Sequence, residues 1–357
     1  MPEYTPEVSG AHLVGSVNLD TAETVFRAAA WNCGSELHAM PDGETGERFH
    51  WILFQGARFD LTPGLSRLGP QPIELAGFDV RPFAIDEGVD PASIEFPELG
   101  YADAAAHSYA FFRALKAESG AIPQHVRFQV SLPTPVATVN TFVRPEDRAA
   151  VEVAYERAML RELEQILATI PHDQLTIQWD MAVEFALLEE VVMPGFGPMK
   201  AWFEPVFEGL VQRAARLGDA VPEGANLGYH LCYGDVAEKH FKEPKDAANL
   251  TRVSNALFDS VARSVDFLHM PVPIERDDAD YFAPLKDLRL PEGTKLYLGL
   301  LHREDGVEGA ARRIKAAGTA VPAFGVATEC GMGRSPRDSM EPLLKLHSQA
   351  VKAARQL

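Results

Sequence analysis

Eight short apolar segments alternate with longer stretches whose apolar residues recur every three to four positions, and that alternation narrows the fold most. The predicted strands are 12–17, 35–40, 126–132, 175–180, 226–232, 265–270, 295–301 and 323–328. Helical spacing is read over 145–170, 197–217, 246–264, 307–317 and a terminal stretch, 338–357. Strand–helix alternation implies a parallel sheet. Eight such units in 357 residues favour a closed barrel over an open doubly wound sheet. The expected fold is therefore α/β: a single (β/α)8 TIM barrel spanning 1–357 as one domain. The Pro- and Gly-punctuated stretch 54–120 is expected to be an irregular insertion on the catalytic face. No internal repeat or low-complexity tract is visible.

Reactive groups gather at one end of the predicted strands. Ser16, Glu44, Asp180, His230, Cys232, His302 and Cys330 each fall at or just past a strand's C-terminal end, where barrels build active sites. His230 and Cys232 are two apart on a strand and so share a face. Cys330 ends another strand, before Gly331-Met332-Gly333-Arg334. One imidazole and two thiolates suit zinc, and three protein ligands leave a catalytic position open. The alternative is a buried His with two inert buried Cys. Two thiolates neutralise Zn²⁺, so a thiol entering the open position would lose its proton yet stay nucleophilic. That suits alkylation of sulfur better than hydrolysis, whose zinc sites more often use His and carboxylate.

The other residues each carry two readings. Glu44, in Asp42-Gly43-Glu44-Thr45-Gly46-Glu47-Arg48, could bind a substrate ammonium or lie in a solvated polar turn. Asp180 could bind substrate or cap the next helix. His302 could be a general acid or a satisfied structural residue. His269 is a further ligand or rim candidate, Cys33 reads as structural, and 133–136 reads as a rigid rim turn.

The formal net charge of −18 argues against nucleic acid and anionic membrane surfaces as partners. No apolar stretch approaches the roughly 20 residues that span a bilayer. The N-terminus shows no secretory signal, and three cysteines make no disulfide framework, so a reduced cytoplasmic setting is expected. The expected partners are a small-molecule thiol and an alkyl donor, and a homo-oligomer is compatible with the composition.

Taken together these segments resemble the catalytic C-terminal domain of cobalamin-independent methionine synthase, in the uroporphyrinogen decarboxylase/methionine synthase superfamily. Val14-Gly15-Ser16 is similar to the family's Gly-Ser substrate loop, and 42–48 to its Gly-Glu-x-x-Arg-type segment. Gln178-Trp179-Asp180 resembles the strand whose Asp holds the homocysteine amino group. His230-Leu231-Cys232-Tyr233-Gly234 matches the His-x-Cys-Tyr zinc motif, His302 falls where a catalytic His stands, and Cys330-Gly331 matches the last zinc Cys-Gly. The resemblance implies a zinc-dependent methyltransferase: Zn²⁺ on His230, Cys232 and Cys330, substrate on Ser16, Glu44 and Asp180, and His302 as catalytic group.

The chain also departs from that pattern. It is too short for the synthase's extra N-terminal half, and the strand after His-x-Cys ends His269-Met270-Pro271 with no zinc carboxylate. That leaves three protein ligands, or Glu275 or His269 as substitute. Phe142 is the nearest candidate for the aromatic that stacks on folate. Shorter single-barrel relatives alkylate other thiols, among them epoxyalkane:coenzyme M transferase and corrinoid-dependent methyltransferases. The alternatives are chemistry of that kind, a metal-free decarboxylase or lyase, a zinc hydrolase, or a non-catalytic small-molecule-binding barrel.

Overall fold

Parallel strands need crossovers, and the chain supplies a helix after nearly every one. The computed structural model describes residues 6–118, 120–193, 197–235 and 238–356. Its main sheet has eight strands: β1 (Glu7–His12), β2 (Ala39–Pro41), β3 (Arg127–Pro133), β4 (Leu175–Met181), β5 (Asn226–Leu231), β6 (Phe267–Pro271), β7 (Lys295–Leu301) and β8 (Ala323–Thr328). The order is β1-β8-β7-β6-β5-β4-β3-β2, all parallel. Isolated parallel bridges, Ala11 to Leu37 and Ser16 to Gly43, tie the first strand's chain to that around the second. The sheet thus curls into a TIM-barrel-like fold. The long outer helices are α1 (Ala22–Cys33), α2 (Tyr101–Glu118), α3 (Arg148–Thr169), α4 (Val206–Asp219), α5 (Ala248–Ser260), α6 (Gly306–Ala317) and α7 (Met340–Ala354). Among the described residues no helix is long and apolar enough to cross a membrane.

Two strands sit away from their predicted places. The first ends at His12 instead of starting there, and 13–17 runs on as a loop. Its polar residues alternate with buried ones, a half-buried pattern weaker than the Leu-Val run that follows it. The second is only three residues, because 34–36 forms a tight 3₁₀ turn. The helix expected from 197 begins at Val206, after Pro205. The stretch 54–120 is less irregular than expected. It holds a short helix (Gln55–Asp60), a small hairpin nested within a second antiparallel strand pair, and then α2, whose buried Ala102, Ala105, Tyr109, Phe112 and Leu115 recur at helical spacing. Residue 119, and residues 1–5 read above for a signal segment, lie outside the described residues.

The barrel interior is partly polar, and its bonds aim the site. His12 Nε2–H donates to Gln178 Oε1 (2.9 Å), and Gln178 Nε2 donates to Asp180 Oδ1 (2.8 Å) and Val14 O (2.6 Å). Gln129 Nε2 donates to the carbonyls of Leu13 and Val14, both at 3.1 Å. The two glutamines therefore pin the backbone that delivers Ser16. Beside them Phe267 and Tyr297 pack on His12, each at 4.9 Å between ring centres. Gly228 makes room: a Cβ there would stand 2.1 Å from the Phe267 ring.

His347, inside α7, is fully buried, with Nδ1 bonded to Leu343 O (2.8 Å) and Nε2 unpartnered. Burial lowers it to about 4, so it folds neutral. Its folded-state value lies below its unfolded one; its contribution is full above about 6.5 and is lost as pH falls toward 4. His347→Gln should remove up to about 1.4 kcal/mol per pH unit of acid sensitivity in that window. Urea midpoints of both proteins at pH 7 and pH 4.5 check this.

Candidate metal centre

Three strand ends bring the ligand atoms together. In the parallel register Asp180 pairs with His230 and His230 with His269, so the three side chains point the same way. Cys232 follows β5, and Cys330 lies two residues beyond β8. Cys330 Sγ lies 3.6 Å from both Cys232 Sγ and His230 Nε2. The ligand atoms of all three residues lie within 4.8 Å of one another. A tetrahedral zinc with Zn–S of about 2.3 Å and Zn–N of about 2.0 Å separates its ligands by roughly 3.5–3.8 Å. The trio fits such an ion.

The imidazole is presented in the right tautomer. His269 Nε2–H donates to Thr328 O (3.0 Å), which makes its Nδ1 the acceptor. His230 Nδ1–H donates to that nitrogen at 2.7 Å, so His230 Nε2 keeps a lone pair aimed at the thiols. His269 thus orients a ligand and is not itself one. Glu275 is exposed and outside the trio. The positions considered for a fourth ligand therefore supply none.

The floor is electronegative. Cys232 is held well below its ordinary value by the Cys330 thiol that donates to it and by His230, and Gly234 N–H adds a bond at 3.2 Å. Burial opposes charge on His230, yet Cys232, Asp180 and Glu44 together raise it. Burial lifts Asp180 to about 8 and Glu44 to about 7. A cation placed there would relieve this crowding.

Local backbone explains Glu44 and Ser16. Glu44 has φ 51°, and its N–H donates to Asp42 Oδ1 (3.0 Å). Asp42 is gripped by Arg48 Nη2 (2.5 Å) and Ser108 Oγ (2.6 Å), a buried pair whose rupture would cost about 3–5 kcal/mol. The charges of this turn are thus buried, not solvated. The Glu44 carboxyl packs where a Cβ on Gly15 would stand, 2.3 Å away. Ser16 O accepts from Met332 N–H (2.7 Å) and Ser16 Oγ from Gly333 N–H (3.2 Å). A Cβ on Gly331 would meet Ser16 Oγ at 2.2 Å, so glycine follows Cys330 to let the two loops touch.

One cleft, with a volume of about 500 Å³, is lined by Ser16, Glu44, Asp180, His230, Cys232 and Cys330. Its outer wall is apolar, with Ile52, Leu53, Leu75, Val183, Met199 and Phe241. Trp51 (φ 55°) and Ala76 (φ 50°) also line it, strained like Glu44. His302 is not there. It lines a smaller adjoining cleft that meets the first at Gly234, Asp235, Cys330 and Gly331. Its Nε2–H donates to Val272 O (2.9 Å), and burial lowers it to about 4. His240 bridges Glu243 and Glu329 in that region.

Comparison with solved structures gives the same architecture. A Listeria monocytogenes protein assigned as a vitamin-B12-independent methionine synthase superposes with TM-score 0.58 at 15% identity, covering 97% of this chain and 98% of that one. A B12-independent methionine synthase from Shewanella sp. W3-18-1, solved with selenomethionine, gives TM-score 0.53 at 15% identity, covering 99% and 98%. The fold is that of the cobalamin-independent methionine synthases. No family model matches the chain, and no curated protein matches it by sequence.

Against that fold, several readings of single residues change. Phe142 is fully buried against Phe59 (5.6 Å), because its helix faces the core, and Trp51 and Phe241 are the aromatics on the cleft. Cys33 is structural as expected: its thiol bonds Ala29 O and burial lifts it to about 12. His269, read from sequence as a further ligand or rim candidate, instead backs His230, while Asp235 and Arg334 were not singled out from sequence. His269 alone left a usable signal, its place on the strand after His-x-Cys.

If His269 sets the tautomer, His269→Leu should weaken metal binding by about 10–100-fold. His269→Gln, able to accept from His230 and donate to Thr328, should recover most of it. Competition against a chromophoric chelator measures both.

Proposed function

We propose that this protein is a zinc-dependent S-alkyltransferase, with methyl as the transferred group and a small thiol as acceptor. One observation carries the reading: two thiols and a correctly oriented imidazole meet on the floor of a cleft whose polar end holds Asp180, Glu44 and Ser16. In this reading the strands form one closed (β/α)8 barrel, and part of 54–120 overhangs its catalytic mouth. Zinc held by His230, Cys232 and Cys330 would supply an open position at which a thiol becomes a nucleophilic thiolate at neutral pH.

The chain's own residues then have distinct tasks. Burial raises the values of Asp180, fixed by Gln178, and Glu44, fixed through Asp42, and a substrate ammonium beside them would draw both back to the ionised form. The neighbour's complex with selenomethionine supports an amino-acid ligand of this shape. Ser16 Oγ, already accepting from Gly333, keeps its own proton to donate. The apolar wall excludes water from the path of attack. Sulfur attacks the alkyl carbon, the carbon–donor bond breaks with its electron pair on the donor, and the donor takes up a proton. His302 is the proposed source of that proton. Its Nε2–H is held by the Val272 carbonyl and burial keeps the ring neutral, so it would pass a proton on only after taking one up.

Protein purified without added metal should hold about one zinc per chain, and Cys330→Ala should lose it together with all thiol alkylation. Elemental analysis beside a methyl-donor assay with homocysteine decides this. Alkyl transfer that persists in zinc-free protein would contradict it.

A further inference from the structure

Arg334 stands out by what it lacks. It is half-buried, lines the large cleft, and makes no hydrogen bond, ion pair or ring contact with any described residue. Apart from the exposed Arg113, every other arginine among the described residues bonds or stacks on a named partner. In a chain with 51 acidic residues, an unsatisfied guanidinium in a cleft is not the result of a shortage of carboxylates. Two acidic groups, Glu44 and Asp235, line the same cleft and feel its charge, but neither forms an ion pair with it.

The backbone just before it is also anchored. Arg334 follows Gly333, whose N–H is bonded to Ser16 Oγ, and Met332, whose N–H is bonded to Ser16 O. The loop that carries Cys330 therefore carries Arg334 too, anchored on the loop of Ser16. A guanidinium offers a planar fork of donors matched to a carboxylate or sulfonate, and is the side chain best suited to take one bidentately. The Ser16 hydroxyl, on the neighbouring loop, can add a donor to the same oxyanion.

We propose that Arg334 is the subsite for an oxyanion carried by the thiol substrate, so that the acceptor is an anionic thiol. This rests on the thiol reading above, and adds which thiols are accepted. Neutral or purely cationic thiols of equal length would lack the contact.

The test uses S-methyl thioethers, the products of such a transfer, because they do not require a metal to bind. Calorimetry on the full chain compares 3-(methylthio)propionate, 2-(methylthio)ethanesulfonate and 2-(methylthio)ethanol. The wild type should bind one or both anions at least about tenfold more tightly than the neutral alcohol. The tighter of the two identifies the oxyanion as carboxylate or sulfonate. Arg334→Gln should abolish that preference while leaving the alcohol's Kd unchanged, and Arg334→Lys should keep part of it. Equal binding of all three by the wild type, no binding of any, or a preference that survives Arg334→Gln would overturn the assignment. The same series as free thiols on zinc-loaded protein separates the two claims. If thiols bind no better than thioethers while Arg334 still selects anions, the thiol-activation reading fails and the oxyanion subsite stands.

Discussion

The bond between His230 Nδ1 and His269 Nδ1 is the interaction on which the site's chemistry depends. Two Nδ1 atoms 2.7 Å apart cannot both carry protons, and Thr328 O settles which of them donates. The result leaves His230 Nε2 bare beside two thiols. Both rings are buried and held at matched positions on neighbouring strands. In the related pattern a carboxylate on this strand would be a ligand. Here His269 takes the strand and works one bond further back, so a metal in this site would find three protein donors.

Charge and packing divide the cleft into two regions. The floor gathers Glu44, Asp180, Cys232 and Cys330, and burial alone would make four such groups costly. A bound cation and a substrate ammonium are the species that would offset them. The upper wall offers apolar side chains and two residues with positive φ, Trp51 and Ala76; these, like Glu44 on the floor, hold conformations costing of order 1–3 kcal/mol each that persist only where the surroundings enforce them. At Glu44 the enforcing contact is the buried Asp42–Arg48 pair.

Much of this was legible in the chain, and what was not has physical reasons. Six strands were placed within about two residues, because buried parallel strands are short apolar runs closed by polar residues. The His-x-Cys pair and the distant Cys330 could be grouped because strand ends converge in a barrel. Position 269 could not be resolved: a His on a buried strand is ligand, orienting group or filler depending on a register that spans 39 residues. Glu44 read more readily as a solvated turn, since its burial depends on Gly15 and on a salt bridge between residues six apart in sequence. The helix Tyr101–Glu118 was hidden by the Pro and Gly residues before it. His302 was placed correctly at its strand end, but the side chain faces a second cleft, a distinction no spacing records.

X-ray absorption at the zinc edge addresses the central claim most directly. The account predicts two sulfur ligands and one imidazole nitrogen, with a light atom completing the shell. It predicts three sulfurs once a thiol acceptor is added, with a third zinc–sulfur distance of about 2.3 Å. A shell of nitrogen and oxygen only, or a sulfur count that the thiol leaves unchanged, would contradict it.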